Sequence, residues 1–494
     1  MKHVWFLVVC VSLLIVTLSL HETWLLSLRT PLHAIYPFIH GYTPDYYYYL
    51  SLIEQGREGN FFVTTRFTSE QFPRLFVQTF YPVLGFFTPG VWTPTVYLGA
   101  RIVFGFLLLI FGFMLATKLF QKSSLQLFAF TLMIIGVPLW FIQDGNIWTA
   151  GNFWRGLEPL GRITFLPHHL AANTFFIGAI LLFPLWPSVF FAFLTSWTNP
   201  ASGLALLFTL TFYSTLRRKF PLLIFVAAGI PLLIFSWYQN NFFPWTEYKR
   251  IEPLWRYPLD LFTYFKIMNI GGVIALISVP WVLKKRSIMW DLIVGWFFWP
   301  IVGIGFLQYF IPMSNSRYIQ AAYYIPTAFL AVVWLSRKKS IFFWLILLAA
   351  TSIPSFYANI KFNESMVSES SQKLATYPTK DLVTSIDWLN SYGNPDDLVV
   401  APEWISSIIP ALSNKRVMLG HPTLTYQRDK KQIDMNALYA FGDEKEVARV
   451  ISDHHVSLIW TDWTLKMPET FAGFKFTPVF TNAQVTYYQV TKIP

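Results

Sequence analysis

Apolar runs long enough to cross a bilayer set the limits on what this 494-residue chain can become. A spanning helix needs about 20 apolar residues to cover roughly 30 Å of hydrocarbon. Val4–Leu20 is the first such run. Ile102–Thr117, Leu125–Ile142, Leu170–Trp186, Phe220–Tyr238, Tyr264–Leu283, Met289–Ile311, Ile319–Leu335 and Ile341–Tyr357 follow, several needing flanking residues to complete a crossing. Thr17-Leu18-Ser19 is a poor signal-cleavage site, so the first run is expected to stay as an anchor. With 54% hydrophobic and only 13% charged residues, an ordinary soluble domain is excluded. The lone cysteine, Cys10, rules out an intrachain disulfide or a cysteine-rich zinc site. The net charge of +11 sits at the ends of segments, not in a stripe, so no nucleic-acid partner is expected.

Those basic clusters orient the chain, because short basic loops stay cytoplasmic. They are Lys118/Lys122, Arg217-Arg218-Lys219, Lys284-Lys285-Arg286 and Arg337-Lys338-Lys339. All four share one side only if Ser188–Tyr213 crosses twice, turning at Thr198-Asn199-Pro200-Ala201. Proline lacks an amide hydrogen and keeps its predecessor out of the α region, which suits a break there. The fold class expected is mainly α: a polytopic bundle of about eleven spans, N-terminus cytoplasmic, C-terminus outside. Both helices of the pair are below spanning length, so a re-entrant hairpin is the alternative.

This topology makes 1–358 a transmembrane helical domain with outer loops 21–89, 143–169 and 240–261. Residues 359–494 form an extracytoplasmic α/β domain in which strands alternate with helices. Helices are expected at Asp381–Tyr392, Trp404–Leu412, Asp429–Tyr439 and Glu444–His454. Strands are expected at Leu398–Ala401, Arg416–Leu419, Val456–Trp460, Pro478–Thr481 and Val485–Val490. No Gly-rich phosphate loop follows a strand, so no nucleotide site is read. Gly420-His421-Pro422 and His454-His455 read as turn and helix-end residues.

The unusual residues gather in the first outer loop, at Tyr42-Thr43-Pro44-Asp45-Tyr46-Tyr47-Tyr48-Tyr49. Ionisable groups beside a bilayer are costly to place and are functional candidates by default. Asp45 is the catalytic candidate. The competing reading is an interfacial tyrosine belt around a solvated carboxylate.

A first span followed by a long outer loop, with an Asp ahead of aromatics, resembles the GT-C superfamily of membrane glycosyltransferases. The stretch from Asp45-Tyr46 through Glu54-Gln55-Gly56 to Phe80-Tyr81-Pro82 is similar to that loop, and the helix pair joined by Thr198-Asn199-Pro200 fits as well. The family includes protein O-mannosyltransferases, aminoarabinose transferases and oligosaccharyltransferase catalytic subunits. The resemblance implies a sugar donor on a polyprenyl phosphate and a glycan, lipid or protein acceptor. It also implies an active-site carboxylate in the first loop, and a multi-pass cell-membrane location. The family's usual adjacent acidic pair is absent, since Tyr46 follows Asp45, which leaves a divalent cation as an open question.

Such a transfer needs a base for the acceptor hydroxyl and cations for the departing phosphate. Arg66, Arg74, Arg155, Arg162 and Arg317 are the outer arginines, and arginine grips phosphate bidentately. Arg155 and Arg162 are favoured for their compact aromatic loop. His168, Tyr46 and Glu54 are further substrate-binding candidates, and Asp144 and Glu158 are the acids available to partner Asp45. Asn363-Glu364-Ser365 matches a glycosylation acceptor pattern. A non-catalytic scaffold or sensor of the same architecture stays open. A transporter would show ionisable residues within its spans and repeated halves.

Overall fold

The computed structural model describes residues 2–76, 78–136, 141–143, 145–148, 156, 158–337, 346, 353, 357 and 375–494. Asp144, Arg155, Asn363-Glu364-Ser365 and nearly all of the Ile341–Tyr357 run lie outside them. The chain divides into two compact units. The first comprises Met1–Glu22, Gly99–Tyr238 and Lys249–Ser365; the second comprises Thr23–Leu98, Gln239–Tyr248 and Met366–Pro494.

Among the described residues, four helices are long and apolar enough to cross a membrane: Lys2–Ser19, Thr93–Leu119, Leu222–Asn241 and Ile288–Tyr309. Leu261–Ile267 and Ile270–Leu283, bent by 104°, add a fifth if they count as one span. The chain is therefore a membrane protein. Ser123–Ile135 and Tyr324–Leu335 are shorter apolar helices. Leu125–Ile142, expected as one span, is not one helix. Its helix stops at Ile135, and Phe141–Gln143 (β1) pairs antiparallel with Asn146–Trp148 (β2). Ser188–Tyr213 does break where expected, into helices Pro187–Thr198 and Pro200–Arg217.

Helix-to-helix apolar packing fills the first unit, with Leu109, Phe113, Phe176, Trp296, Phe297 and Phe329 fully buried. Asp291, in the first turn of the Ile288–Gly305 helix, is answered by Arg217 from a basic cluster. A buried charge needs such a partner.

The second unit is built on a six-stranded sheet. Its strands are Leu398–Val400 (β3), Arg416–Val417 (β4), Leu458–Asp462 (β5), Thr470–Phe471 (β6), Phe474–Thr481 (β7) and Val485–Lys492 (β8). They lie in the order β4-β3-β5-β8-β7-β6. β3 is parallel to β4 and β5, while β8 runs antiparallel to both β5 and β7. Helical crossovers between the first three strands make them parallel, and a tight β7–β8 turn makes the rest antiparallel. Helices Lys380–Leu389, Glu403–Leu412, Arg428–Ala440 and Glu444–His454 match the expected ones within a few residues. Thr379 and Asp443 cap two of them, accepting from the amides of Leu382 and Lys445.

Two further helices of this unit, Thr43–Arg57 and Phe80–Phe87, cross closely. A methyl group at Gly56 would overlap the Pro82 backbone, and one at Gly85 would overlap Ile53. Only glycine permits that approach.

Candidate functional site

Pro44 and Asp45 occupy the first turn of the Thr43–Arg57 helix. Proline costs nothing there, since the first amides have no intrahelical acceptor, and a carboxylate is favoured by the helix dipole. From Tyr46 to Ile53 every residue is buried. The four tyrosines are therefore not an interfacial belt. The Tyr47 hydroxyl donates to the Ala375 carbonyl at 2.6 Å, and that of Tyr46 to Pro37. Tyr49 stacks on Tyr81 at 4.5 Å. Gln55 and Thr64 exchange two hydrogen bonds, of 3.0 and 2.9 Å. The result is a closely packed helix that presents a carboxylate at its mouth, with the Asp45 side chain 47% exposed.

The carboxylate is not loose. His421 Nε2 lies 3.3 Å from Asp45 Oδ1, and the imidazole is only 3% exposed. His421 sits in a turn that follows β4. Thr425 Oγ1 ties that turn together, accepting from the amides of Gly420 and His421 and donating to the Phe67 carbonyl. A methyl group at Gly420 would stand 2.8 Å from the Ser406 carbonyl oxygen, so the turn is pressed against the Glu403–Leu412 helix. Phe67 and Tyr48 meet the imidazole edge-on at 5.8 and 6.1 Å.

Two more charged groups act nearby. Arg428 grips Glu403 with Nη2 at 2.8 and 2.9 Å from the two oxygens and Nε at 3.2 Å. Both side chains are about one-third exposed. Burial, then Asp45, then Glu403 push the Tyr42 phenol above its ordinary value, while Arg428 pulls the other way. Asp45, Glu403 and Arg428 thus all act on one tyrosine. Sequence reasoning missed Glu403 and Arg428, and it set His421 aside as a turn residue. No spacing signals them; they come from a segment more than 350 positions away.

His421 Nε2 faces the Asp45 carboxylate, and Glu403 is paired with the Arg428 guanidinium. Among the described residues, no three His, Cys, Asp or Glu side chains gather as metal ligands.

The other candidates have definite places. In the second unit Arg66 is buried between Glu58, gripped at 2.7 and 2.9 Å, and Asp396 at 3.2 Å. Arg74 is exposed and donates to Asn60. Glu54 accepts from Arg57 at 2.8 Å and from Thr93. In the first unit Arg162 is buried, donating to the carbonyls of Ile134 and Gly136 and lying 4.2 Å from the Tyr324 ring centroid. The buried Glu158 acts on it electrostatically. Arg317 donates to Glu252 at 2.6 Å, and its charge is felt at His168. His169 pairs with Asn199 at 2.8 Å, which is a satisfied histidine.

No family model matches the chain, and no curated protein matches it by sequence. Solved structures similar to it include the oligosaccharyltransferase of Archaeoglobus fulgidus in the apo form. That match has 12% identity, covers 91% of this chain and 69% of that one, and has a TM-score of 0.46. The same enzyme with zinc and sulfate gives 14% identity, 92% and 68% coverage, and 0.47. The archaeal oligosaccharyltransferase AglB of that organism, with an inhibitory peptide and a dolichol-phosphate, gives 12%, 93% and 70%, and 0.49.

Proposed function

We propose that this chain is a membrane glycosyltransferase of the GT-C type. It moves a sugar from a polyprenyl-phosphate-type donor to a hydroxyl-bearing acceptor on the extracytoplasmic face. About eleven spans, a cytoplasmic N-terminus and an outer α/β tail complete the reading. The observation that carries it is Asp45: half-exposed, in the first turn of a helix that is buried from Tyr46 to Ile53, with one oxygen held by a buried imidazole.

In the reaction the acceptor oxygen attacks the anomeric carbon as the carbon–oxygen bond to phosphate breaks. Asp45 takes the hydroxyl proton, and the electron pair of the broken bond leaves with the phosphate. A positioned base of this kind is worth about 10²–10⁴-fold. Direct displacement without a covalent intermediate inverts the anomeric configuration. Arg428 is the cation we assign to the departing phosphate in this unit. Moving its fork from Glu403 to phosphate exchanges one oxyanion for another, which arginine geometry allows and lysine geometry does not.

The test is transfer by purified protein in lipid nanodiscs, offered a panel of polyprenyl-phosphate sugars and hydroxyl acceptors. Transfer with inversion is expected. Arg428→Ala lowers donor use by about tenfold or more, the scale of a lost charge-assisted hydrogen bond, and Lys restores part of it. Absence of transfer or donor hydrolysis across the panel would favour the scaffold reading. A fully active Arg428→Ala would remove that arginine from the site.

A further inference from the structure

We infer that His421 is a positioning residue for Asp45, working as a neutral hydrogen-bond donor whose tautomer is fixed by its own turn. The inference deepens the transfer reading above and rests on it for its kinetic arm only.

The geometry assigns each ring nitrogen one task. Nδ1 lies 3.1 Å from the Thr423 amide and 3.2 Å from the Leu424 amide, both of which donate to it. Thr423 Oγ1 is a third neighbour at 3.2 Å. A proton on Nδ1 would point into two N–H groups, so Nδ1 has to stay an acceptor. In a neutral imidazole one nitrogen accepts and the other donates. The ring proton therefore sits on Nε2 and points at Asp45 Oδ1, 3.3 Å away. The ring is buried against Phe67 and Tyr48, so it cannot swing away without vacating a packed site.

The consequence concerns what each group can do. His421 cannot itself take a proton from an acceptor, because Nδ1 is occupied and Nε2 is already protonated. What it supplies is a fixed donor that holds one carboxylate oxygen and so aims the other. A base held in its productive orientation reacts faster than one that rotates freely.

Two substitutions separate the two nitrogens. The amide oxygen of Asn reaches the Nδ1 position and accepts from amides two and three residues on, as in an Asx turn. It has no donor at the Nε2 position. Gln places an amide N–H near Nε2 and leaves the turn amides without their acceptor. His421→Asn should keep the thermal midpoint while kcat falls by about tenfold with KM unchanged. His421→Gln should lower the midpoint and keep most of kcat at temperatures where it is folded. A purely structural histidine gives the opposite ranking, with turnover following stability. An Asn variant of normal kcat, or a stable Gln variant without activity, would overturn the inference.

A second measurement needs no turnover. In protein labelled with ¹⁵N-histidine, the His421 signals are those lost in His421→Asn. Their shifts should show a protonated Nε2 and a bare Nδ1, and Asp45→Ala should move the Nε2–H signal. A proton on Nδ1, or an Nε2–H signal indifferent to Asp45, overturns the assignment whatever the enzyme's substrate. A correct tautomer in a protein without transfer activity would instead count against the reaction alone.

Discussion

Glu54 shows how burial and charge compete within a single helix. Arg57 lies 2.8 Å away and favours the ionised carboxylate, but burial is the larger effect and pushes the carboxyl up to about 7. An acid raised in the folded state contributes stability that is full below its unfolded value of 4.5 and is lost as pH rises through about 7. The wild-type thermal midpoint should therefore fall between those pH values relative to Glu54→Gln, which has no proton to lose. Parallel slopes for the two proteins would contradict the assignment. Glu70 has the opposite sign: burial opposes ionisation, but hydrogen bonds from Lys431 and Thr68 win and its pKa falls. At this scale Asp45 was legible because a carboxylate entering a run of tyrosines is conspicuous. His421 was not, since its partner is 376 residues away and a Gly-His-Pro turn has no periodicity to read.

Helix ends were legible where the chemistry is local. Asn199-Pro200 announced the break between Pro187–Thr198 and Pro200–Arg217, and the Asn199 side chain accepts from the Ala201 and Ser202 amides. It also bonds His169, so the cap ties the start of one helix to another. Asn199→Ala should cost about 1 kcal/mol for the cap, more if His169 is left unpaired in its buried site. A thermal midpoint unchanged from wild type would show the cap to be idle. The end at Ile135 was missed because the sequence there is apolar through Ile142, although Gly136 and Pro138 are a local stop signal. That helix stops where Arg162 donates to the carbonyls of Ile134 and Gly136, a tertiary contact from more than 25 residues away. In the tail, alternation placed most strands, but it missed Thr470–Phe471 and the first half of β7. Pro478 and the register shift beside it interrupt the alternation there.

For the whole molecule, composition alone marked a membrane protein, because an apolar content of this size has no other solvent. What composition could not show is that Thr23–Leu98 and Met366–Pro494 fold into one compact unit, in which His421 meets Asp45 while Glu403 and Arg428 act on the neighbouring Tyr42. Reporter fusions test the topology this requires: fusions after Lys219 and Arg286 should report cytoplasm, and one after Tyr377 the outside. A cytoplasmic signal after Tyr377 would move the Asp45 site to the wrong face for the proposed acceptors. The most direct test of the proposed chemistry is the turnover of Asp45→Asn, measured beside thermal unfolding with the polyprenyl-phosphate sugar panel. Asn keeps the side chain's shape and its oxygen for His421 but removes the basicity. Turnover should fall by at least about a hundredfold, the low end for loss of a general base, with donor binding and the thermal midpoint retained. A stable Asn variant that transfers sugar at a near-normal rate would contradict the assignment of Asp45 as the base.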